Sequence, residues 1–457
     1  MKALNVLLVT YVFPPIGGVG VLRAASLARY FPAEGIRLDV LTTRNASAVG
    51  SDPTLLEGIS PEVNIHRTVT LDLPFGAKKG IKRLIAGTKP SSERNQAAGG
   101  PGNPSFLKRA LQDVLLPDPQ VTWLPILTRA ARRIIRERNI ELVLITVPPF
   151  SCGLLVAKLR ENFPSLPIVI EFRDEWLSST IDLVSFSRSE RAIRFAVNAE
   201  ADAVANATAV VAVTEAAREK IRSRYPGDPD SKFQLIPNGF DATRLRGISA
   251  PVDPRPSDRI VVTYTGSIYG STEPGALVEA LKALPPRVRS RFKLRFIGHI
   301  EEARFRESLM QLGDMVELKG FLPQNEALAA INDSDYALLI SHDGLNVSAK
   351  FYDYIGAGKP ILATVHPEGD VRRLLEDLRA GWWTGSRDVE GIRRLFMEAA
   401  ARGNSLSSEF APDTARIAQY ERKVLAQRYA GLLHSIAPAR QKAARDVWAR
   451  DLAGKGR

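Results

Sequence analysis

The 457-residue sequence holds one cysteine, Cys152, and five scattered histidines. One thiol cannot close an internal disulfide, and no Cys/His cluster or histidine pair stands at metal-ligand spacing. A disulfide scaffold and a structural zinc site are therefore excluded, and a reducing compartment is expected. No apolar run approaches the ~18–20 residues needed to cross a bilayer, so any membrane contact is expected to be peripheral. The first residues, MKALNVLLVTYVFPPIGG, carry a lysine and an apolar run as a signal peptide does. Asn5 splits that run and Pro14-Pro15 ends it, so residues 4–12 read as a buried first strand that feeds a glycine loop. No internal repeat of solenoid period is present.

What is there fits a globular protein: 45% of residues are hydrophobic and 25% charged. Single cores stop growing near ~250–300 residues, so the length asks for two domains. The net charge of +12 points to an anionic partner: nucleic acid, anionic lipid or a phosphorylated metabolite. Part of the excess is local. Lys78, Lys79, Lys82, Arg83, Lys89, Lys108 and Arg109, then Arg129, Arg132, Arg133, Arg136 and Arg138, alternate with Ile81, Leu84, Ile85, Phe106, Leu107 and Leu111. Such a basic amphipathic stretch suits a membrane surface or a solvated helical face.

Strand-like runs at 6–10, 38–42, 142–146, 168–172, 209–214 and 233–236 alternate with helical patterns such as 21–30 and 124–138, the rhythm of a parallel sheet wrapped on both faces. The rhythm restarts at 260–265, 294–297, 316–319, 336–341 and 360–364, with helices from Gly275, Ala303, Asn325 and Ala349. Between the series, residues 250–258 are proline-rich and aperiodic. The expected division is a first domain at 1–248 with a mobile insert at about 78–118, a hinge at 249–258, and a second domain at 259–425. A last helix and basic tail, 426–457, is expected to return in part to the first domain, with frayed helix from Gln441 onward.

Several phrases carry candidate chemistry. Gly17-Gly18-Val-Gly20 follows the first strand and precedes a helix, where glycine lets a backbone approach a ligand and amides face an anion. It lacks both the dinucleotide spacing and a Walker lysine, and a plain tight turn is the alternative. Thr146 to Ser151 and Glu171-Phe-Arg173-Asp174-Glu175-Trp176 end apolar runs, where open parallel sheets place their ligand crevice; an ion pair that only organises the loop is the alternative. Gly266 and Ser267 end the first strand of the second series and can offer amides to a phosphate. The strongest phrase runs from Ser341 to Ile361: strand end, polar loop, helix start, glycine stop, new strand. Within it Lys350 and Asp353 share a helical face, the lysine placed for a diphosphate and the carboxylate for two ribose hydroxyls, unless the two pair with each other at the surface.

Taken in order, Phe13-Pro-Pro-Ile-Gly-Gly18, Thr146-Val-Pro-Pro-Phe150, Phe172-Arg-Asp-Glu-Trp176, Ile236-Pro-Asn-Gly-Phe-Asp241, Tyr264-Thr-Gly-Ser267, Gly320-Phe-Leu-Pro323 and Lys350-Phe-Tyr-Asp-Tyr-Ile-Gly-Ala-Gly-Lys-Pro360 resemble the GT-B glycosyltransferases of family 4, the type that builds bacterial surface polysaccharides and glycolipids. The resemblance covers roughly residues 3 to 430. It implies an α/β fold of two Rossmann-like domains whose parallel sheets face a central cleft, with a nucleoside diphosphate sugar held mainly by the second domain and the acceptor by the first. By position it gives Asp353 the ribose and Lys350 the diphosphate. The amides of Gly344, Leu345, Asn346, Val347 and Ser348 would serve the sugar hydroxyls, Gly17 and Gly18 would lie under the diphosphate, and Arg173 and Asp174 would line the acceptor side. Two departures stand out. The first Glu of the family's Glu-x7-Glu motif falls on Leu345, so Asp343 or His342 must substitute or the role is missing, and Ser267 and Thr272 stand where many relatives carry Arg and Lys.

The expected reaction is glycosyl transfer with retention of anomeric configuration, without cofactor or metal, to a saccharide or polyprenyl-linked acceptor. The expected location is the cytoplasm, at the inner face of the plasma membrane, with no nucleic-acid partner. The rival readings are a sugar-nucleotide epimerase of the same fold and a non-enzymatic basic binding protein.

Overall fold

The computed structural model describes residues 3–46, 51–70, 115–178, 190–247, 259–402 and 409–437. The expected hinge, most of the 78–118 insert and the tail from Gln441 lie outside them. The described residues form two compact units, one from within Met1–Val213, Ile221–Ile236 and Ala426–Arg457, the other from Thr214–Lys220 and within Pro237–Leu425.

The first unit is built on seven strands: β1 (Leu4–Val9), β2 (Ile36–Thr43), β3 (Asn64–Thr68), β4 (Leu142–Val147), β5 (Ile168–Phe172), β6 (Ala209–Ala212) and β7 (Phe233–Leu235). They lie in the order β3-β2-β1-β4-β5-β6-β7 and every pair is parallel. Parallel strands need crossovers that cover both faces, so their sequences are near-continuous apolar runs. Every residue of β4 and β5 is buried. β3 departs from that rule; it is a partly exposed edge strand of sequence NIHRT, which the apolar-run reading missed.

A buried charge in β5 organises this unit. Glu171 Oε1 accepts from Arg23 Nε at 2.6 Å and from the Tyr429 hydroxyl at 2.8 Å, and Arg23 also donates to the Ile236 carbonyl at 2.7 Å. Burial pushes the Glu171 carboxyl upward, but Arg23 and Tyr429 outweigh it and hold the group below the ordinary carboxylate range. Arg23 comes from the helix Val19–Tyr30 and Tyr429 from the helix Arg422–Ile436, so one carboxylate fastens two helices to the sheet. A second network has Arg224 bridging Glu175 at 2.5 Å and Glu200 at 2.7 Å.

The second unit has six parallel strands: β8 (Ile260–Thr265), β9 (Phe292–Ile297), β10 (Val316–Gly320), β11 (Tyr336–Ser341), β12 (Ile361–Val365) and β13 (Gly381–Gly385), ordered β10-β9-β8-β11-β12-β13. Alternate residues serve opposite faces. Tyr336, Leu338 and Ile340 of β11 join the cluster of Tyr264, Phe296 and Phe396, while Ala337 and Leu339 join that of Phe351, Tyr354 and Ile361. The half-buried edge strand β13, GWWTG, also went unread.

The Pro-Asn-Gly-Phe-Asp phrase is a packing device in this unit. Phe240 N donates to the Tyr420 carbonyl and Arg422 N to the Phe240 carbonyl, at 3.1 and 2.9 Å. A Cβ on Gly239 would stand 2.1 Å from that Tyr420 oxygen, so only glycine permits the approach. Asp241 then caps the helix Ala242–Arg246 through a bond from Arg244 N of 3.1 Å.

Breaking the Glu171 network strands a buried charge. We expect Arg23→Ala to lower the unfolding free energy of the first unit by about 3–5 kcal/mol, and Tyr429→Phe by about 1 kcal/mol, in urea titrations. A loss from Arg23→Ala no larger than that from the exposed Arg191→Ala would remove the network from this account.

Candidate functional site

In open parallel sheets ligands bind outside the carboxyl ends of the strands, where the strand order reverses direction. In the second unit that point lies between β8 and β11, which pair directly. β8 is followed by Gly266, whose φ of +107° belongs to glycine, and β9 by Gly298 with φ +140°. The two backbones are in close contact: a Cβ on Gly298 would lie 2.3 Å from the Gly266 carbonyl oxygen. β10 ends at Gly320 with φ +71°, and its carbonyl accepts from Gly298 N at 2.7 Å. Three adjacent strands thus run into or finish in a glycine, so no Cβ stands at these three positions of the carboxyl edge.

Into this edge projects Lys350, from the first turn of the helix Ala349–Gly356 that follows β11. A Cβ on Gly266 would stand 3.2 Å from both Cε and Nζ of Lys350, so the amine occupies the space that glycine leaves. Lys350 Nζ donates to the Tyr264 hydroxyl at 2.6 Å and lies 3.9 Å from the centre of that ring. The Tyr264 hydroxyl in turn donates to the Ser267 carbonyl at 2.9 Å, and burial pushes its ionisation upward, so it stays a neutral phenol. Among the described residues no carboxylate pairs with Lys350. Desolvation alone acts on the amine and brings its pKa down to about 7. Ser348 caps this helix without a side-chain bond, leaving its amino-terminal dipole available to an anion.

Asp353 does not form the surface pair with Lys350 that its spacing allowed. Burial raises its carboxyl to about 6, opposed by the charges of Arg422 and Arg244 and reinforced by Asp241. The two residues therefore look to different surroundings: the lysine to Tyr264 and Gly266, the carboxylate to Arg422 and Arg244.

The loop before the helix differs from the sequence reading. Asp343 Oδ1 accepts from Leu345 N at 2.7 Å and Asn346 N at 3.2 Å, and Oδ2 accepts from Asn346 Nδ2 at 2.7 Å. The carboxylate is spent on shaping its own turn, as short acidic side chains do, which speaks against a catalytic role. The same bonds occupy the Leu345 and Asn346 amides. Val347 is buried, and a Cβ on Gly344 would rest 3.3 Å from His366 Nδ1. His342 bonds through Nε2 to the Glu273 carbonyl at 3.0 Å.

The remaining predicted residues belong to the first unit. Gly18, exposed with φ +100°, caps the helix Val19–Tyr30 without a side-chain bond, next to Gly17. Arg173 is a staple: NH1 donates to the Gly20 carbonyl at 2.6 Å and NH2 to the Pro148 carbonyl at 2.5 Å. Its pKa is lowered by burial, which the nearby Glu171 and Asp174 partly offset. It joins the loop after β4 to the start of that helix, a positioning task. Phe150 and Trp176 stack at 5.1 Å, so the phrases that end β4 and β5 meet as packing.

Two features escaped the sequence reading. Tyr264 pairs with Lys350 across 86 residues of sequence, beyond the reach of local spacing. His299 and Phe321, just past Gly298 and Gly320, stack at 5.3 Å with rings 13° apart, and Phe321 is 64% exposed. The recurring strand-glycine pattern at Ile297-Gly298 and Lys319-Gly320 was the signal that could have found this pair.

Comparison with known proteins agrees with this architecture. Residues 93–244 match Glycosyltransferase Family 4. A Salmonella typhimurium protein named as the colanic acid biosynthesis glycosyltransferase WcaL is 26% identical over 228 residues, covering 47% of this chain and 54% of that protein. Its Escherichia coli K12 namesake is 28% identical over 233 residues, with the same shares, so the match spans about half the length of these relatives. Among solved structures, Anabaena Alr3699/HepE in complex with UDP and glucose superposes with a TM-score of 0.61 at 16% identity, over 94% of this chain and all (100%) of that one. WaaG, a glycosyltransferase involved in lipopolysaccharide biosynthesis, does so with a TM-score of 0.54 at 15% identity, over 96% and 98%. The sheet orders and these superpositions give the chain the GT-B fold, and over residues 93–244 its sequence is similar to glycosyltransferase family 4.

Proposed function

We propose that this protein is a retaining glycosyltransferase of surface polysaccharide or glycolipid synthesis, moving a sugar from a nucleoside diphosphate to a saccharide or polyprenyl-linked acceptor at the inner face of the plasma membrane. One observation carries the reading: a partly buried ammonium with no carboxylate partner among the described residues, held against a glycine backbone beside a helix N-terminus without a side-chain cap. An uncompensated cation there is costly unless an anion joins it. A diphosphate supplies that anion, and the structural relative HepE, solved with UDP and glucose, supports a uridine nucleotide.

In this reading Lys350 and the helix N-terminus hold the diphosphate, and Gly266 and Ser267 let it approach the backbone. Asp353 as carboxylate accepts from the ribose, and the exposed face of Phe321, backed by His299, stacks on the base. The bond from the anomeric carbon to the diphosphate oxygen breaks as the acceptor oxygen bonds to the same face of that carbon. The acceptor proton passes to the departing diphosphate, whose charge Lys350 stabilises, so neither cofactor nor metal enters. The first unit serves the acceptor, with Asp174 orienting its hydroxyl and Arg173 keeping the adjoining loops in place.

Incubation with a nucleotide sugar, with and without saccharide and polyprenyl acceptors, tests the reaction by NMR. We expect acceptor-dependent diphosphate release and a product with the donor's anomeric configuration. Inverted product would contradict the mechanism, and interconverted sugar without acceptor would identify an epimerase.

The shifted groups also set a pH window. Donor binding needs Lys350 protonated, so affinity falls as pH rises through about 7. It needs Asp353 ionised, so affinity falls as pH drops through about 6. Calorimetric affinities are expected to peak between these values, with the alkaline limb abolished in Lys350→Arg and the acid limb in Asp353→Asn. A flat profile from pH 5 to 9 would reject this assignment of the two groups.

A further inference from the structure

The nucleoside end of the donor site draws on two separated segments of the second unit. Phe321, exposed and backed by His299, follows β10, while Asp353 stands on the helix after β11, and β9 and β8 lie between those strands in the sheet. A base stacked on the ring and a ribose bonded to the carboxylate are joined covalently. The span between the two segments must therefore be held by something besides strand pairing.

Arg244 joins them. Its Nε donates to Asn325 Oδ1 at 3.1 Å and its Nη1 to Gln324 Oε1 at 2.7 Å. These two residues open the helix Gln324–Asn332 directly after Phe321-Leu-Pro323, so the guanidinium grips the foot of the loop that carries the ring. Its charge also reaches Asp353, where with Arg422 it favours the ionised carboxylate against burial and Asp241. Arg422 is itself fixed by donating from Nε to the Gly239 carbonyl at 2.9 Å. The short helix Ala242–Arg246 packs on the Asp353 helix: a Cβ on Gly356 would stand 2.4 Å from Phe240 Cγ and 2.8 Å from Leu245 Cδ1. That packing does not call for the guanidinium, because Asp241 caps the short helix through the Arg244 backbone amide and Phe240 and Leu245 supply the apolar contact.

We propose that Arg244 is a positioning residue of the donor site, a strut that holds the Phe321 loop at a fixed span from the Asp353 carboxylate so that base and ribose are gripped together. This rests on the donor reading above and deepens it with a residue that acts through Phe321 and Asp353 and touches no donor atom. A planar fork with two bonded nitrogens fixes direction as well as distance, which an ammonium does not. Lysine at 244 thus replaces the charge but not the strut. The phrase Ile236 to Asp241 gains a second task, since the turn it packs delivers Arg244.

Calorimetry with UDP, and hydrogen exchange of residues 320–325 in the free protein, test the strut on the full chain. R244Q is expected to speed exchange across that loop and to weaken UDP binding, each roughly tenfold, for the charge-assisted bonds it removes. It is also expected to move the acid limb of UDP binding upward by about one pH unit, because Asp353 loses a cation that favours its ionised form. R244K is expected to keep the acid limb in place yet show the same faster exchange and weaker binding. Q324A/N325A, which removes the anchor and leaves Arg244 intact, is expected to reproduce R244K. F321A is expected to weaken UDP binding severalfold in the wild type and hardly at all in R244Q, since the ring is no longer placed. Arg246→Gln, at the neighbouring exposed arginine, is expected to change none of these quantities. Unaltered circular dichroism melts would show that the variants fold. R244Q behaving as R246Q would overturn the strut, and R244K recovering the wild type in full would reduce Arg244 to a charge and overturn it too. Wild type that binds no UDP would defeat the donor reading and the strut with it, a result distinct from wild type that binds while the variants match it.

Discussion

A lysine ammonium that no carboxylate among the described residues pairs with is the constraint from which the second unit can be understood. Its charge is tolerable only where water or an anionic ligand can reach it, and the strand order supplies that place. β8 and β11 are neighbours that wind away in opposite directions, so the helix after β11 starts over the end of β8. For Lys350 to lie there, β8 must end without a side chain, and Gly266 meets that need with 3.2 Å to the lysine. Gly298 must follow, because the Gly266 backbone leaves no room for its Cβ. Tyr264 then offers a hydroxyl to the amine while remaining neutral.

The first unit answers its charges differently. Glu171, Arg173 and Glu175 lie within five residues at the end of β5, which on sequence alone looks like a cluster assembled for chemistry. Glu171 is taken by Arg23 and Tyr429, Glu175 by Arg224, and Arg173 by the Gly20 and Pro148 carbonyls. These bonds fasten helices and loops to the sheet. Charge at a strand end can thus be structural, and only the identity of the partners separates that case from Lys350.

The central strands were legible because a parallel sheet covered on both faces demands apolar runs, and LVLITV in β4 has no other use. The edge strands β3 and β13 were not, because one exposed side admits NIHRT and GWWTG, which carry no such run. In the site, Lys350, Asp353 and Gly266 could be read from local spacing and from resemblance. Asp343 could not, since a short carboxylate three residues before an asparagine can serve its own turn or a ligand, and the backbone decides. Tyr264 and the His299–Phe321 stack were beyond reach because their partners are distant in sequence and meet only once the strands pair.

The central claim is that the second unit holds a nucleotide sugar through Lys350 and Asp353, and calorimetry with UDP-, GDP- and dTDP-sugars tests it most directly. The account predicts that one donor binds tightly to the wild type and more weakly to Lys350→Ala, Asp353→Ala and Phe321→Ala, with the lysine variant losing roughly tenfold to a hundredfold for one charge-assisted bond. Binding of none of these donors, or of one that all three variants retain at full affinity, would contradict it.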